Sequence, residues 1–313
     1  MKTVVFIWFK VDTMAELTDL YLGPAQCGPD VAKVEEYKYG KGKVGLDVEI
    51  KLDDGDERIA KVCALLTQHG EHHSTRREDI YTEEELQNAP LLELGGGGDY
   101  DNVAHAGPHY GTTYDVTNAC KQCGTGVRQT SGVIIRGEDE RLIEKTRVAF
   151  TTHGGFLVHD VDGEKLVNAK FTGFNLWPIQ SLQKNGTKVE LRREQVLIEN
   201  VMPPMAPSAI LDRREVCPVC KKGRFNHLPF DPTRFVYRAE DLKNIQDFNL
   251  TWECFGSYPK SLEQALESYW PTPRILVTPR VMNFFRGKTK KEKKYEGCSF
   301  TPVWIEGEEP WRK

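Results

Sequence analysis

A chain of 313 residues that is 39% hydrophobic and 28% charged has room for two ordinary domains or one large one. Its 14 Phe, 11 Tyr and 6 Trp require a core, which excludes collagen-like, coiled-coil and largely disordered classes. The net charge of −4 is uneven: residues 1–101 hold 11 Lys and Arg against 21 Asp and Glu, so the front third argues against non-specific nucleic-acid binding and suits a basic protein partner.

No apolar run reaches the roughly 20 residues of a membrane helix. At the start, Lys10 and Asp12 cut the apolar stretch and no small-residue cleavage site follows, so Met1–Lys10 reads as a buried strand of a cytoplasmic protein. Residues 1–94 read as a self-contained α/β module. Val4–Phe9 is a strand, and Asp12 or Thr13 caps a helix through Ala15, Leu17 and Leu20. Val44–Leu52 alternates apolar and polar residues as a half-buried strand does. Ile59, Val62, Cys63 and Leu66 recur at helical spacing between Asp56 and Gln68, placing Cys63 in the core. Thr82–Glu85 has capping-box spacing for another short helix.

Gly95–Gly98 carries too much backbone freedom for a helix or strand and reads as a hinge, which divides the chain into 1–94 and 95–313. A second break, Met202–Pro207, precedes a pair of cysteines. There is also an internal echo. Lys170–Ile179 aligns with Lys294–Val303, with Lys, Gly and Pro coinciding, and each follows a β-like entry, Val148–Thr152 and Ile275–Pro279, and a segment expected to be helical, 155–169 and 280–293. This suggests a duplicated knuckle, strand, helix, strand unit over about 110–200 and 210–313, in an α+β chain. Gly173 and Gly297 would then mark equivalent turns, and Pro178 and Pro302 equivalent strand edges or ends.

Eight cysteines in a chain without a secretory signal suggest metal binding rather than a disulfide framework. Cys27, Cys63, Cys254 and Cys298 stand alone, while Cys120-Lys-Gln-Cys123-Gly and Cys217-Pro-Val-Cys220-Lys-Lys-Gly223 are Cys-x-x-Cys pairs. Two intervening residues let both thiolates of a pair reach one ion, and a glycine after the pair suits the tight turn. Four thiolates form the closed tetrahedral shell that zinc prefers, so the expected metal is a structural Zn²⁺ bound by Cys120, Cys123, Cys217 and Cys220. The 93 residues between Cys123 and Cys217 far exceed the spacer of a compact zinc ribbon, so the insert should be a folded unit pinned at both ends. A redox dithiol would need only one pair, beside a βαβ pattern.

His69, His72 and His73 cluster, as do His105 and His109; a second metal site or surface histidines are the two readings. His227 stands where it could replace a cysteine ligand. Leu91–Asp99 is similar to the glycine motif of S-adenosylmethionine-dependent methyltransferases, but Tyr100–Pro108 cannot supply the helix that should follow. His69-Gly-Glu71 with Cys120 and Cys123 is similar to the zinc-deaminase signature, without its proline and with two thiolates left over. Lys288–Lys294 reads as a solvated basic loop. No P-loop, nucleophile elbow or His-Glu-x-x-His occurs, so no catalytic residue is assigned.

Taken together, Tyr114–Gly126, the distant Cys217-Pro-Val-Cys220, and the closing Ile275–Thr278 and Gly297–Val303 resemble the double-CXXCG-motif family. Asp247–Gly256 resembles the stretch before that family's final strand, so the likeness covers about residues 110–305. The chain departs at Lys221-Lys222, which stand in place of the glycine directly after the second pair. Members are small bacterial proteins, some of them immunity proteins encoded beside polymorphic or contact-delivered toxins. The resemblance therefore implies a toxin-neutralising binding protein whose partner is a cognate toxin, with no membrane role. The alternative is a zinc-knuckle nucleic-acid module or an S-adenosylmethionine-dependent enzyme braced by the knuckles. If a toxin is bound, the acidic turn Asp53–Glu57 is the first candidate surface and the aromatic segment Phe248–Trp270 the second.

Overall fold

The computed structural model describes residues 1–39, 43–96, 103–144, 146–256, 259–285 and 298–310. They form an α+β fold of two compact units, Met1–Thr82 with Leu228–Pro232, and Glu83–His227 with Thr233–Lys313. Among the described residues no helix is long and apolar enough to cross a membrane.

The first unit has the element order strand, helix, strand, strand, helix, strand. Strands β1 (Lys2–Val11), β2 (Ala32–Tyr39), β3 (Lys43–Asp53) and β4 (His73–Ile80) stand in the order β2-β3-β1-β4 with every neighbouring pair antiparallel. This is the split β-α-β arrangement of ferredoxin-like folds. The expected first strand is thus central. Val5, Ile7, Phe9 and Val11 on β1 and Leu46, Val48, Ile50 and Leu52 on β3 point to one face, where period-two alternation buries them. Two helices cover that face. The first, α1 (Met14–Glu16), is capped at its start: Thr13 Oγ1 accepts the Glu16 N–H, and the Glu16 carboxylate reaches back to accept the N–H of Asp12, one residue before the cap. It runs on into a wide turn, Leu17–Leu22, that buries Leu17, Tyr21 and Leu22. The second, α2 (Glu57–Gln68), is capped by Asp56 and buries Val62 and Leu66; Cys63 is only partly buried against the same core.

The second unit contains two larger sheets. Strands β6 (Val103–Ala104), β9 (Ile134–Arg136), β10 (Val148–Thr151), β11 (Phe156–His159), β12 (Phe174–Leu182) and β13 (Lys188–Ile198) make a six-stranded sheet in the order β6-β10-β11-β13-β12-β9. A five-stranded sheet has the order β14-β16-β17-β5-β18, from β5 (Leu92–Gly96), β14 (Gly223–Phe225), β16 (Phe248–Phe255), β17 (Thr272–Val277) and β18 (Cys298–Pro302). Helices α5 (Asp160–Asn168) and α7 (Pro279–Phe285) share one core with both sheets, built on Phe156, Phe248, Phe285, Leu166 and Met282. Completely burying side chains of this size contributes roughly 1.5–3 kcal/mol each.

Three expectations change. The acidic module ends at Thr82 rather than at residue 94, because Leu92 and Leu94 are buried in β5 between β17 and β18. Gly95 and Gly96 continue that strand, and the rest of the glycine run lies outside the described residues. Met202–Pro207 is no joint. Met202, Met205 and Ala206 are buried in a core with Phe225, Phe235 and Tyr237, and the Met202 and Ala206 N–H groups bond Leu250 and Val236 carbonyls. Finally, the fold does not confirm the duplication. In both stretches a strand, a helix and a strand enclose one antiparallel strand, but that inserted strand is β13, which follows, in one case and β5, which precedes, in the other. The segment 155–169 also holds strand β11 as well as helix, whereas α7 follows β17 directly. Gly173 is left-handed at φ 92°, Pro178 sits at a register shift in β12 and Pro302 ends β18; Gly297 lies outside the described residues.

Candidate metal centre

The four cysteines singled out by their spacing converge. Cys120, Cys123, Cys217 and Cys220 have all their Sγ atoms within 4.8 Å of one another, Cys120 lying 3.9 Å from Cys217 and Cys123 3.7 Å from Cys220. Cys123 and Cys217 are buried and the other two half-buried. Such a set can hold a metal ion.

Local backbone chemistry sets this geometry. In the first knuckle Cys120 N–H bonds the Thr125 carbonyl and Gly124 N–H bonds the Cys120 carbonyl; in the second, Cys217 N–H bonds the Gly223 carbonyl and Lys221 N–H the Cys217 carbonyl. The residue after each pair is left-handed: Gly124 at φ 73° and Lys221 at φ 58°. The departure from the glycine pattern is therefore a change of side chain without a change of backbone, at a cost of about 1–2 kcal/mol for an L-residue. A glycine is needed two positions later instead. A Cβ on Gly223 would collide with Thr125 Oγ1 and stand 2.9 Å from Cys123 Sγ, so this backbone can approach the sulfur only without a side chain.

The Cys123 thiol donates to Thr125 Oγ1 at 3.2 Å, and burial pushes Cys123 and Cys220 up. At Cys217 burial opposes the thiolate, but the N–H groups of Cys220 and Val219 and the neighbouring thiols outweigh it and bring the thiol down to about 7. Around the first knuckle, Leu262 N–H bonds the Lys121 carbonyl and Gln122 Nε2 the Lys260 carbonyl, seating it on helix α6 (Leu262–Glu267) beside Trp270. The second knuckle leads directly into β14 at the edge of the five-stranded sheet. Gly223 was expected from the sequence only as a turn residue, and its close approach to Cys123 was not; Thr125 was not singled out.

Among the described residues no histidine joins this cluster. His69 packs edge-on against Tyr21, and His73 opens β4. His105 Nδ1 lies 3.0 Å from Asp139, and His109 Nε2 lies 2.6 Å from the Glu267 carbonyl. His227, considered as a substitute ligand, packs against the touching rings of Phe235 and Phe255 and faces Glu93 at 3.6 Å. The aromatic segment Phe248–Trp270 is mostly core: Phe248, Phe255 and Trp270 are buried. Lys288–Lys294 lies outside the described residues. No family model matches the chain, and no curated protein matches it.

Proposed function

We propose that the protein is a toxin-neutralising, immunity-type binding protein whose fold is held by one structural zinc ion on Cys120, Cys123, Cys217 and Cys220. The observation that carries the zinc assignment is the sulfur geometry. Four sulfurs at about 2.3 Å from a central zinc have S···S edges of about 3.8 Å; two cross-pairs measure 3.7 and 3.9 Å and all four sulfurs lie within 4.8 Å of one another. Four thiolates leave no open coordination position, so the ion braces rather than catalyses. Lys121 lies within the first pair and Lys221 and Lys222 directly follow the second, a basic sequence neighbourhood suited to the excess negative charge of such a centre.

Support for the toxin-binding half of the reading is the resemblance of residues 110–305 to the double-CXXCG-motif family together with the acidic excess of the front third. The acidic turn is partly committed to the fold. Asp56 caps α2 and pairs with Arg58, and Asp54 pairs with Arg77, whereas the Asp53 side chain makes an exposed pair with Lys2. Charge reversal therefore belongs at exposed acids outside the cap: Asp19, Glu36 and Asp53. The test is co-expression with the product of the adjacent gene. Rescue of growth and a co-purifying complex, whose association rate falls in the triple Asp19→Lys, Glu36→Lys, Asp53→Lys variant, would support the reading. Absence of rescue and of any complex would end it.

A further inference from the structure

The face of the first unit's sheet opposite its two helices carries a groove of about 430 Å³, within the usual size range of ligand sites. Alternation along β1 puts Phe6, Trp8 and Lys10 on that face, because Val5, Ile7 and Phe9 point into the core. Trp8 stands in register with Glu49 on β3 and Ser74 on β4, and all three line the groove. One face of the indole is stacked on Phe6, with the ring centroids 5.5 Å apart and the planes 7° from parallel. The other face looks along β1 towards Lys10. Trp8 and Lys10 line the groove and Phe6 does not, so that second face is the one turned to it. The indole N–H donates to Glu49 Oε2 at 2.8 Å, which fixes the ring.

The other aromatic rings on this face carry the chain's own lysines. Lys10 Nζ lies 4.1 Å from the centroid of the Tyr37 ring, and Lys51 Nζ lies 5.4 Å from that of Phe6. An indole attracts a cation more strongly than either ring, yet among the described residues none stands over Trp8. The groove is also short of positive charge. Lys10 and Lys33 line it, and each is held by a carboxylate of its own, Asp47 at 3.3 Å and Glu35 at 2.7 Å. Two further lining carboxylates, Glu49 and Glu71, have no cation within ion-pair distance among the described residues. Glu71 is half-buried, and the bond to the indole leaves Glu49 Oε1 untaken.

We infer that this groove receives the guanidinium of an arginine side chain presented by the basic protein partner, laid on the open face of Trp8 and paired with Glu49 and Glu71. A guanidinium is planar and weakly hydrated, so it stacks on an indole and offers a fork of N–H donors to carboxylates. An ammonium is a compact, strongly hydrated charge that does neither as well. The inference rests on the reading of a basic protein partner and names the place of one of its contacts.

The test uses the full chain labelled with 5-fluorotryptophan, in which Trp8→Leu identifies the Trp8 resonance by its loss. The N-acetyl amides of arginine, lysine and citrulline are titrated at constant ionic strength and read by fluorine NMR. Expected is a saturable shift of the Trp8 resonance with the arginine probe, about threefold or more weaker with lysine and absent with the uncharged citrulline. Glu71→Gln should weaken the arginine probe about twofold or more at an unchanged melting temperature. No saturable shift, lysine or citrulline binding as tightly as arginine, or an unchanged affinity in Glu71→Gln would each overturn the inference. The titration needs no partner. A flat titration beside rescue of growth ends this inference alone, whereas saturable arginine binding without rescue ends the toxin-binding reading and leaves the groove.

Discussion

Replacing Cys217 by Ser, or stripping the metal with a strong chelator, removes a clip between segments 97 residues apart along the chain. A cross-link closing a loop of about that length lowers the entropy of the unfolded chain by an amount worth about 4.7 kcal/mol at 25 °C. This is a third or more of the roughly 5–15 kcal/mol that a domain has in total. In a unit of this size each kcal/mol moves the melting temperature by about 2–4 °C, so loss of the clip should lower it by roughly 10–20 °C. Exposed amide groups should appear in the two knuckles first, because Cys120 N–H, Gly124 N–H, Cys217 N–H and Lys221 N–H all close turns that the proposed ion would hold together. Differential scanning calorimetry of wild type, chelated protein and Cys217→Ser, with hydrogen exchange on the same samples, reads both effects. A shift under about 2 °C, with unchanged exchange at residues 120–124 and 217–221, would refute the reasoning.

Other outcomes follow from the same geometry. Lys221→Gly relieves a left-handed residue and should raise stability by up to about 1 kcal/mol with zinc content unchanged, as measured by denaturant unfolding. Gly124→Ala must do the reverse, by about 2–4 kcal/mol, since its Cβ would stand 2.7 Å from Ala265 Cβ on a backbone at φ 73°. Hydrogen bonds from the Arg214 side chain and N–H hold Asp212 down to about 2, below the roughly 3.9 of an unfolded chain. Its contribution is therefore present above pH 4 and lost as pH falls from about 4 to 2, and Asp212→Asn should flatten the stability–pH curve in that window only. Unchanged slopes in acid-denaturation series of the two proteins would contradict this.

How much of this was legible in the sequence depends on whether the signal is local. Strand β1 was legible as a continuous apolar run, and strand β3 and helix α2 from the apolar periodicity of the face each buries. Edge strands β2 and β4 were not expected, because Ala32–Tyr39 and His73–Ile80 are polar and carry little alternation. The wide turn Leu17–Leu22 reads as ordinary helix, since its apolar spacing differs from α-helical spacing by only one residue per turn. Cysteine spacing was enough to pick out the four cysteines that cluster, because each pair is a local turn. Their cross-pairing over 97 residues was an inference from valence, and the structure brings them together. Long-range pairing left no such trace. Nothing in Leu92–Gly96 announces that it lies between strands 180 and 200 residues further on. Neither does Trp8 announce Glu49, whose register partner it becomes only when β1 and β3 pair. Met202–Pro207 misled for the opposite reason: its prolines signal a loop correctly, but the loop is packed under a sheet.

Elemental analysis of the purified chain tests the central assignment most directly. The account predicts one zinc ion per chain in the wild type, and loss of that ion in Cys120→Ser, Cys123→Ser, Cys217→Ser and Cys220→Ser alike. A wild-type protein that folds without metal, or retains its full metal content when any two of these four cysteines are replaced, would contradict it.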